Sequence, residues 1–428
     1  MKDKLYADKT ITVWGLDLGS SCATLMAGEF GADGTLHILG VEQEQTRGLV
    51  SKGLLANSAE AAMTIVRLVK QLKNRLQLSD FPRHIYISIG GKGLRVTQSD
   101  VRRSIPTKHV SNKLLREMEQ ECKDKLEKAY PNFDVIEVIW DSFVLDGDKE
   151  VLDPTDQKAT DIEGQYEIYY GQSPIRRRWE ECVAKQDIFT VPCYFSCCEA
   201  LRRALLDDSV VREGAAIIDF GAETTTYCAY YDGQLLDMTV VPFGSYNITK
   251  DIAYQAIKES DAEKLKKRFT HLIPQAENTT IRVKSATDLE KTIFYDTTTL
   301  TNIAVAREDE IIEKIVERIN ENIGKLQDKP IFICGGGARQ KGIADFLQDR
   351  IDMRVQIGNI ENLSADTDEK FLAPEYARII GTLMLGYDFS KNNAEQSTIE
   401  NKKQQKTKKG LFNTLVDLFQ DNADLQKE

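Results

Sequence analysis

The segment ITVWGLDLGSSCATLMAGEF occupies residues 11–30 and decides the fold class. Its apolar runs Ile11–Leu18 and Cys22–Phe30 predict two strands, and the Gly-Ser-Ser sequence between them is typical of a tight turn. An Asp-Gly turn then leads to a third predicted strand, Leu36–Val41. Apolar residues at helical spacing follow and predict a helix over Asn57–Leu78. The chain therefore begins as an α/β unit in the order strand, strand, strand, helix.

The same order returns at AAIIDFGAETTTYCAYY, residues 215–231. Ala215–Phe220 predicts a strand, a small-residue loop follows, and Thr226–Tyr231 predicts a second strand. After another Asp-Gly turn, Leu235–Val241 predicts a third strand. The repetition is one of topology rather than of residue identity. It predicts two duplicated α/β halves that face each other across a cleft.

The rest of the chain suggests several further units. Residues 85–188 predict a small inserted α+β domain, with an exposed acidic loop at 146–163. The stretch 247–325 is mostly helical in pattern, with a less regular section at 270–288. The predicted units are a first half (1–84, 189–212 and 374–389), the insert (85–188), a second half (213–257 and 328–373) with a helical subdomain (258–327), a disordered linker (390–409) and an amphipathic helix (410–428).

Composition excludes several classes of protein. The chain has 56 Lys and Arg against 67 Asp and Glu, a net charge of −11, which argues against nucleic acid as a partner. Its eight cysteines form no CxxC pair, so a structural zinc site is not expected. The first residues have no apolar stretch of the kind found in secretory signals, so none is expected, and the sequence has no run of about 18 apolar residues. We therefore expect a cytosolic protein with reduced thiols.

Two loops at equivalent places in the halves can carry chemistry. Asp17 precedes the first loop and Asp219 the second. Glycine lets a backbone approach phosphate closely, hydroxyl groups donate further hydrogen bonds, and a carboxylate can hold Mg²⁺ directly or through water. One such turn is also typical of an ordinary hairpin, but two opposed turns suit a nucleoside triphosphate with magnesium. The predicted contacts are Gly19, Ser20, Ser21, Gly221, Thr224 and Thr225, with Asp17 and Asp219 at the metal.

Two further motifs are candidates for contacts to the nucleoside. Gly335, Gly336 and Gly337 follow a buried strand and leave space where a flat ring could lie on the backbone. A tight strand-to-helix turn explains the same glycines. Glu263 and Lys266 are three residues apart on a predicted helix and share one face, where they could bind ribose or adenine. A solvated charged face is the alternative.

The C-terminal segment has an amphipathic pattern. At roughly 100° per residue its apolar side chains fall on one broad face, and each flanking lysine contributes on the order of 1 kcal/mol near an anionic surface. This pattern predicts a helix that lies flat on anionic membrane lipid, although a helix that docks on a partner or on the protein itself has the same pattern. The residues are Leu411, Phe412, Leu415, Val416, Leu418 and Phe419, with Lys408 and Lys409 before them.

Together these motifs resemble those of the actin, heat-shock-chaperone and sugar-kinase ATPase superfamily, and within it the FtsA family of bacterial cell-division proteins. The string TRGLVSKG at 46–53 is similar to the SRG-x-x-x-G segment of FtsA, and VPFGSYNITKDIA at 241–253 is similar to its Pro-x-Gly and Thr-x-Asp-Ile-Ala segment. Similar pieces run from about residue 13 to residue 386. The resemblance implies an actin-like ATPase fold that binds ATP and Mg in the cleft, with an inserted domain that helps to form protofilaments.

The resemblance also implies a function. It predicts an actin-like protein that polymerises head to tail and tethers FtsZ filaments to the cytoplasmic membrane at the septum. The implied partners are the C-terminal tail of FtsZ, bound through 258–327, further copies of the chain, anionic lipid and later division proteins. The implied location is peripheral, on the cytoplasmic face of the inner membrane at the division site. An ATP-dependent sugar or acetate kinase of the same fold, or a pilus-assembly actin-like protein, is the alternative.

Several residues depart from the FtsA pattern. Cys22 stands where a polar residue is usual, Glu223 replaces a glycine, and Thr226 replaces an aspartate. The segment 191–195 offers no glutamate or glutamine to position an attacking water, and Glu199 is displaced from it. We therefore expect ATP binding with weak or absent ATP hydrolysis, and no catalytic residue is assigned.

Overall fold

The computed structural model describes residues 10–184, 191–254, 256–273, 275–288 and 290–391. The strands are β1 (Ile11–Leu18), β2 (Cys22–Phe30), β3 (Leu36–Gln45), β4 (Val50–Ser51), β5 (Leu54–Leu55), β6 (His84–Ile89), β7 (Arg95–Ser104), β8 (Phe133–Leu145), β9 (Lys149–Val151), β10 (Asp161–Gln172), β11 (Val191–Ser196), β12 (Ala215–Phe220), β13 (Thr225–Tyr231), β14 (Gln234–Val241), β15 (Thr280–Lys284), β16 (Thr292–Asp296), β17 (Ile331–Cys334) and β18 (Val355–Ile357). The helices are α1 (Ser58–Arg75), α2 (Asn112–Ala129), α3 (Ile175–Ala184), α4 (Cys197–Leu205), α5 (Asp208–Glu213), α6 (Ser245–Ala253), α7 (Glu259–Phe269), α8 (Thr297–Glu321), α9 (Ile323–Leu326), α10 (Ile343–Ile351) and α11 (377–391). Short 3₁₀ turns occupy Gly336–Arg339, Glu369–Leu372 and Pro374–Tyr376.

Two five-stranded sheets share one strand order, which confirms the predicted duplication. The first sheet has the order β11-β6-β1-β2-β3, and the second has the order β18-β17-β12-β13-β14. In each sheet three consecutive strands form an antiparallel meander, and two later strands join in parallel beside its first strand. Strands β1 and β12 therefore hold equivalent positions. Their carboxyl ends carry Asp17 and Asp219.

Helix α1 forms for the reasons that its sequence suggests. The Asn57 side chain accepts a hydrogen bond from the Glu60 amide at 3.1 Å and so caps the first turn. The apolar stripe of the helix, which includes Leu68 and Leu72, is fully buried against the first sheet. The helix ends at Arg75, three residues before the predicted end.

A third sheet forms the inserted unit, and its limits differ from the predicted 85–188. It has the order β7-β10-β8-β9 and shares a separate apolar core with α2, in which Met118 and Phe143 are buried. Strand β6 lies in the first sheet instead, because its buried apolar residues fit between two parallel neighbours. Helix α3 also belongs with the first core, where Trp179 packs. We therefore propose Arg95–Gln172 as the inserted unit.

Two predicted irregular segments contain strands. The acidic segment 146–163, expected to be a loop, contains β9 and the start of β10. The section 270–288 contains β15, which pairs with β16 in a two-stranded hairpin. Apolar residues alternate at Ile281 and Val283, but an alternation this short does not stand out beside long helical patterns.

Helix α11 is packed tightly into the first half. Ile379 and Leu383 are buried, and both lie beside Gly15 of β1. A Cβ on Gly381 would lie 1.7 Å from the Ala200 carbonyl oxygen, so only glycine allows α11 to approach α4 this closely. This packing fixes the position of the residues at the start of α11.

The C-terminal predictions fall outside the part of the chain that the structure describes. The predicted linker at 390–409 passes out of that part after residue 391, and the predicted amphipathic helix at 410–428 lies wholly beyond it. Both stay predictions. Among the helices of the described ranges, none combines the length and apolar character needed to cross a bilayer.

Candidate functional site

A cleft of about 720 Å³ is lined by residues from both halves. It brings together all of the predicted nucleotide and metal residues except Thr225, which is buried in β13 and donates its hydroxyl to the Phe243 carbonyl at 3.0 Å. Thr225 is therefore not available to a phosphate group. The predicted residues that line the cleft are Asp17, Gly19, Ser20, Ser21, Asp219, Gly221, Thr224, Glu263, Lys266, Gly335, Gly336 and Gly337.

The two predicted phosphate hairpins have the same internal hydrogen bond. The amide of Gly19 donates to the Cys22 carbonyl at 3.0 Å, and the amide of Gly221 donates to the Thr224 carbonyl at 2.9 Å. These two glycine amides close the turns and are therefore not available to phosphate. The duplication therefore extends from the strand order to the geometry of the loops.

Other groups of the first hairpin remain open to a ligand. The Ser20 hydroxyl accepts a hydrogen bond from the Gly53 amide at 3.1 Å and keeps its own hydrogen to donate. The amides of Ser20 and Ser21 have no hydrogen-bond partner within the described ranges. These donors can serve an anionic group in the cleft.

The three consecutive glycines serve two purposes. Gly335 has φ +82°, and a Cβ there would lie 2.2 Å from Asp219 Oδ1. A Cβ on Gly337 would lie 2.8 Å from Phe220 Cβ, so both positions require glycine for packing. No atom lies within 4 Å of the place where a Gly336 Cβ would be. Gly336 therefore presents bare backbone to the cleft, while its neighbours make the tight turn possible.

Glu263 and Lys266 form an ion pair rather than a solvated face. Lys266 is only 6% exposed, and its Nζ lies 2.8 Å from Glu263 Oε2 and donates to the Ser245 carbonyl at 2.9 Å. Burial raises the pKa of Glu263, but Lys266, Thr249 and Lys267 more than offset this and lower it to about 2. The Lys266 ammonium thus links α7 to the start of α6 and keeps one N–H for a ligand.

Arg378, at the start of α11, contacts both aspartates of the predicted metal site. Its Nη2 lies 2.5 Å from Asp17 Oδ1, and its Nη1 lies 3.9 Å from Asp219 Oδ2. Magnesium requires near-octahedral oxygen ligands, and the Asp17 oxygen is already paired with a cation. A magnesium ion between Asp17 and Asp219 therefore does not fit this arrangement. Sequence reasoning missed Arg378. The one feature of the sequence that could have pointed to it is that it is the single arginine in the apolar run 377–384.

Ser88 is a second residue that sequence reasoning missed. It lies in β6 and lines the cleft, and its hydroxyl is buried with no hydrogen-bond partner in the described protein. Buried hydroxyl groups usually have a partner, so Ser88 is a candidate to bind a polar ligand. A serine inside an apolar strand carries no pattern by which the sequence could have identified it.

Glu223, which departs from the FtsA pattern, lies in the second hairpin, but its side chain does not line the cleft. Its Oε2 accepts the Lys52 amide at 2.8 Å, and its Oε1 lies 3.6 Å from Lys250 Nζ. Both contacts draw the carboxylate away from the cleft, whose lining does not include Glu223. Repulsion of phosphate by this residue is therefore weak.

Glu199 and Cys22 are also accounted for. Glu199 is buried and lies 2.8 Å from Arg202 Nε, so it faces α4 and the inserted unit rather than the cleft. Cys22 lines the cleft but is partly buried, and burial raises the pKa of its thiol. Neither residue is poised to activate a water molecule.

The ionised side chains of the cleft are almost balanced. Five are cationic and four are anionic, and each carboxylate has a cation within 4 Å. Asp17, Glu263 and Glu375 each lie within hydrogen-bond distance of a cation, whereas Asp219 lies 3.9 Å from Arg378 and burial raises its pKa. The cations are Lys266, Lys267, Arg339, Lys341 and Arg378, and the anions are Asp17, Asp219, Glu263 and Glu375.

In sequence, the chain is similar to cell-division proteins named FtsA. The model of the family "Cell division protein FtsA" matches residues 216–381. The FtsA of Bacillus subtilis (strain 168) is 26% identical over 352 residues, which cover 80% of this chain and 78% of that protein. The FtsA of Buchnera aphidicola is 22% identical over 399 residues, covering 90% of this chain and 93% of that protein. These relatives support a role in cell division.

Solved structures show the fold. A structure described as "PilM-PilN type IV pilus biogenesis complex" has a TM-score of 0.61 at 18% identity, covering 87% of this chain and 98% of that one. The structure of MreB5 of Spiroplasma citri bound to ADP has a TM-score of 0.54 at 12% identity. The match covers 90% of this chain and 98% of that one. The chain therefore has an actin-like fold, which these structures share, and is similar in sequence to the FtsA cell-division proteins.

Proposed function

We propose that the chain is an actin-like ATP-binding protein that polymerises and links FtsZ filaments to the cytoplasmic membrane at the septum. The observation that carries the nucleotide part is the pair of equivalent hairpins, which line one cleft together with the bare backbone of Gly336. Hairpins of this kind suit phosphate groups. MreB5 structures of the same fold, bound to ADP and to AMPPNP, support an adenine nucleotide as the ligand.

We propose further that ATP hydrolysis is weak or absent. Each carboxylate that lines the described cleft has a cationic partner, and Glu199 is held by Arg202 outside it. A general base must take up a proton, and a cation within hydrogen-bond distance weakens three of these four carboxylates as bases. The nucleotide would then act through assembly, because ATP bound between the halves biases how they sit in a filament.

The proposed membrane anchor is the segment 410–428. The whole chain has a net charge of −11, so overall it is not attracted to anionic lipid. The lysines before the apolar face, Lys408 and Lys409 among them, supply local attraction. The protein would therefore be peripheral, on the cytoplasmic face of the inner membrane at the division site.

The proposed protein partners follow from the resemblance to FtsA. They are the C-terminal tail of FtsZ, a second copy in a head-to-tail filament, and later division proteins. The helical subdomain at 258–327 is the proposed site for the FtsZ tail, and the inserted unit is proposed to take part in filament contacts.

A sugar or acetate kinase of the same fold fits less well. Such an enzyme needs a carboxylate that faces a substrate hydroxyl, and the carboxylates of the described cleft are all paired. A pilus-assembly protein shares the fold, but likeness at 18% identity speaks for the fold alone. The FtsA relatives favour division.

The test is electron microscopy of the full chain on anionic lipid monolayers, with and without ATP, in the presence of FtsZ filaments. The proposal predicts ordered filaments on the lipid that recruit FtsZ, with more order when ATP is present. A protein that stays in solution, or that attaches without recruiting FtsZ, would contradict it.

A further inference from the structure

Arg378 is a largely buried residue in the lining of the cleft. It lies at the start of α11, which Gly381 locks against α4 and which Ile379 and Leu383 anchor to β1. Its side chain is 21% exposed, so most of its surface is enclosed by protein. A charged group fixed in this way can act on a ligand without first being ordered.

The guanidinium lies between groups from both halves. It is 2.5 Å from Asp17 Oδ1 at the end of β1 and 3.9 Å from Asp219 Oδ2 at the end of β12. A Cβ built on Gly19 would lie 3.7 Å from Nη2, so the guanidinium also borders the first hairpin. A divalent cation that bridges the two aspartates would have to occupy this same space.

The charge of the cleft depends on Arg378. With it, the lining holds five cations and four anions, and without it the lining would hold four of each. A guanidinium has five N–H donors in a fixed fork, whereas Asp17 takes one and Asp219 lies beyond hydrogen-bond distance. The other N–H groups of the fork have no hydrogen-bond partner among the described residues, and those that face the cleft can donate to phosphate oxygens, which arginine binds well.

We propose that Arg378 takes the place of a divalent cation between Asp17 and Asp219, so that the cleft binds a nucleoside triphosphate without Mg²⁺. This inference rests on the proposed nucleotide binding and adds the form of the ligand, which is the metal-free triphosphate. A magnesium ion beside Arg378 would meet a like charge and would compete with it for the Asp17 oxygen.

The experiment is a calorimetric titration of the full-length protein with ATP, once in excess EDTA and once in excess MgCl₂. We expect the wild type to bind ATP at least about threefold more tightly in EDTA than in MgCl₂, because excess magnesium leaves little metal-free triphosphate in solution. Arg378→Ala is expected to weaken binding at least about tenfold in EDTA and to regain much of it in MgCl₂, because the freed aspartates can then hold the metal. Arg378→Lys keeps the charge, and its ATP affinity in EDTA is expected to lie between those of the wild type and Arg378→Ala.

The matched control is Arg203→Ala, which breaks another ion pair to α11, with Asp388 at 2.9 Å, outside the cleft lining. It should leave both affinities unchanged. If Arg378→Ala fails to fold, as thermal unfolding would report, the wild-type comparison and Arg378→Lys decide. ATP binding by the wild type that requires Mg²⁺ would overturn the inference and leave nucleotide binding intact, whereas no ATP binding in either buffer would overturn both.

Discussion

Glu137 of β8 accepts a hydrogen bond from the Ser196 amide at 2.6 Å and so joins the inserted unit to the first half. Ser196 in turn caps α4, because its hydroxyl accepts the Glu199 amide at 3.2 Å. Burial, together with the nearby Glu199, raises the pKa of Glu137 to about 8. Burial likewise raises the pKa of Glu167 to about 8, and its carboxylate accepts the amide of Leu235 in the second half.

These two buried carboxyl groups form the joint between the inserted unit and the halves, and their raised pKa values predict that the free energy of unfolding falls as pH rises. A carboxyl group whose pKa is higher in the folded state contributes stability that is fully present below its unfolded pKa, near 4.5, and is lost as pH rises through about 8. We expect the urea concentration at the unfolding midpoint to decrease as the pH is raised from about 4.5 to about 8. Glu137→Gln should reduce this slope and raise the stability above pH 8 by about 1 kcal/mol or more.

The control for this prediction is Glu317→Gln, which removes a half-exposed carboxylate on α8 that pairs with Lys314. It should leave the slope unchanged, since surface pairs contribute little. Equal slopes for the wild type and Glu137→Gln would show that the joint does not titrate in this range.

Gly336→Asp should weaken ATP binding at least about tenfold with little change in the melting temperature. The new side chain has open space, because no atom lies within 4 Å of its Cβ, and its carboxylate would face the phosphate groups. Gly324→Asp is the matched control, since its Cβ also meets open space but it lies on α9 outside the cleft lining. Equal ATP affinities for the two variants in a calorimetric titration would contradict the assignment of the cleft.

Gly381→Ala should destabilise the protein by about 1–3 kcal/mol and should also weaken ATP binding. The added Cβ would lie 1.7 Å from the Ala200 carbonyl, so α11 must shift and carry Arg378 with it. Denaturant unfolding and ATP titration measure the two effects, with Gly324→Ala as control. A variant that is stable and binds ATP normally would mean that α11 does not fix the arginine.

Deletion of 410–428 should leave a folded protein that no longer sediments with anionic liposomes. Point variants test the face: Phe412→Glu should reduce sedimentation strongly, because it puts a charge on the apolar side, whereas Asn413→Glu on the other side should reduce it less. Neutral liposomes should bind the wild type weakly. Undiminished sedimentation of the truncated chain would remove the proposed anchor.

Local patterns in the sequence predict the frame of the site. Apolar runs and small-residue turns identify both hairpins, and Asn57 identifies the start of α1. The partners of the hairpins are not local: Arg378 reaches Asp17 across 361 positions, and Lys52 reaches Glu223 across 171. No spacing rule connects such residues, because only the folded arrangement of α11 and the two sheets brings them together.

The most direct measurement is a crystal structure of the full chain grown with ATP. We predict a triphosphate between the hairpin at Gly19 and the hairpin at Gly221, with phosphate oxygens within hydrogen-bond distance of the Arg378 guanidinium. A cleft without nucleotide, or ATP bound elsewhere on the protein, would contradict the central claim.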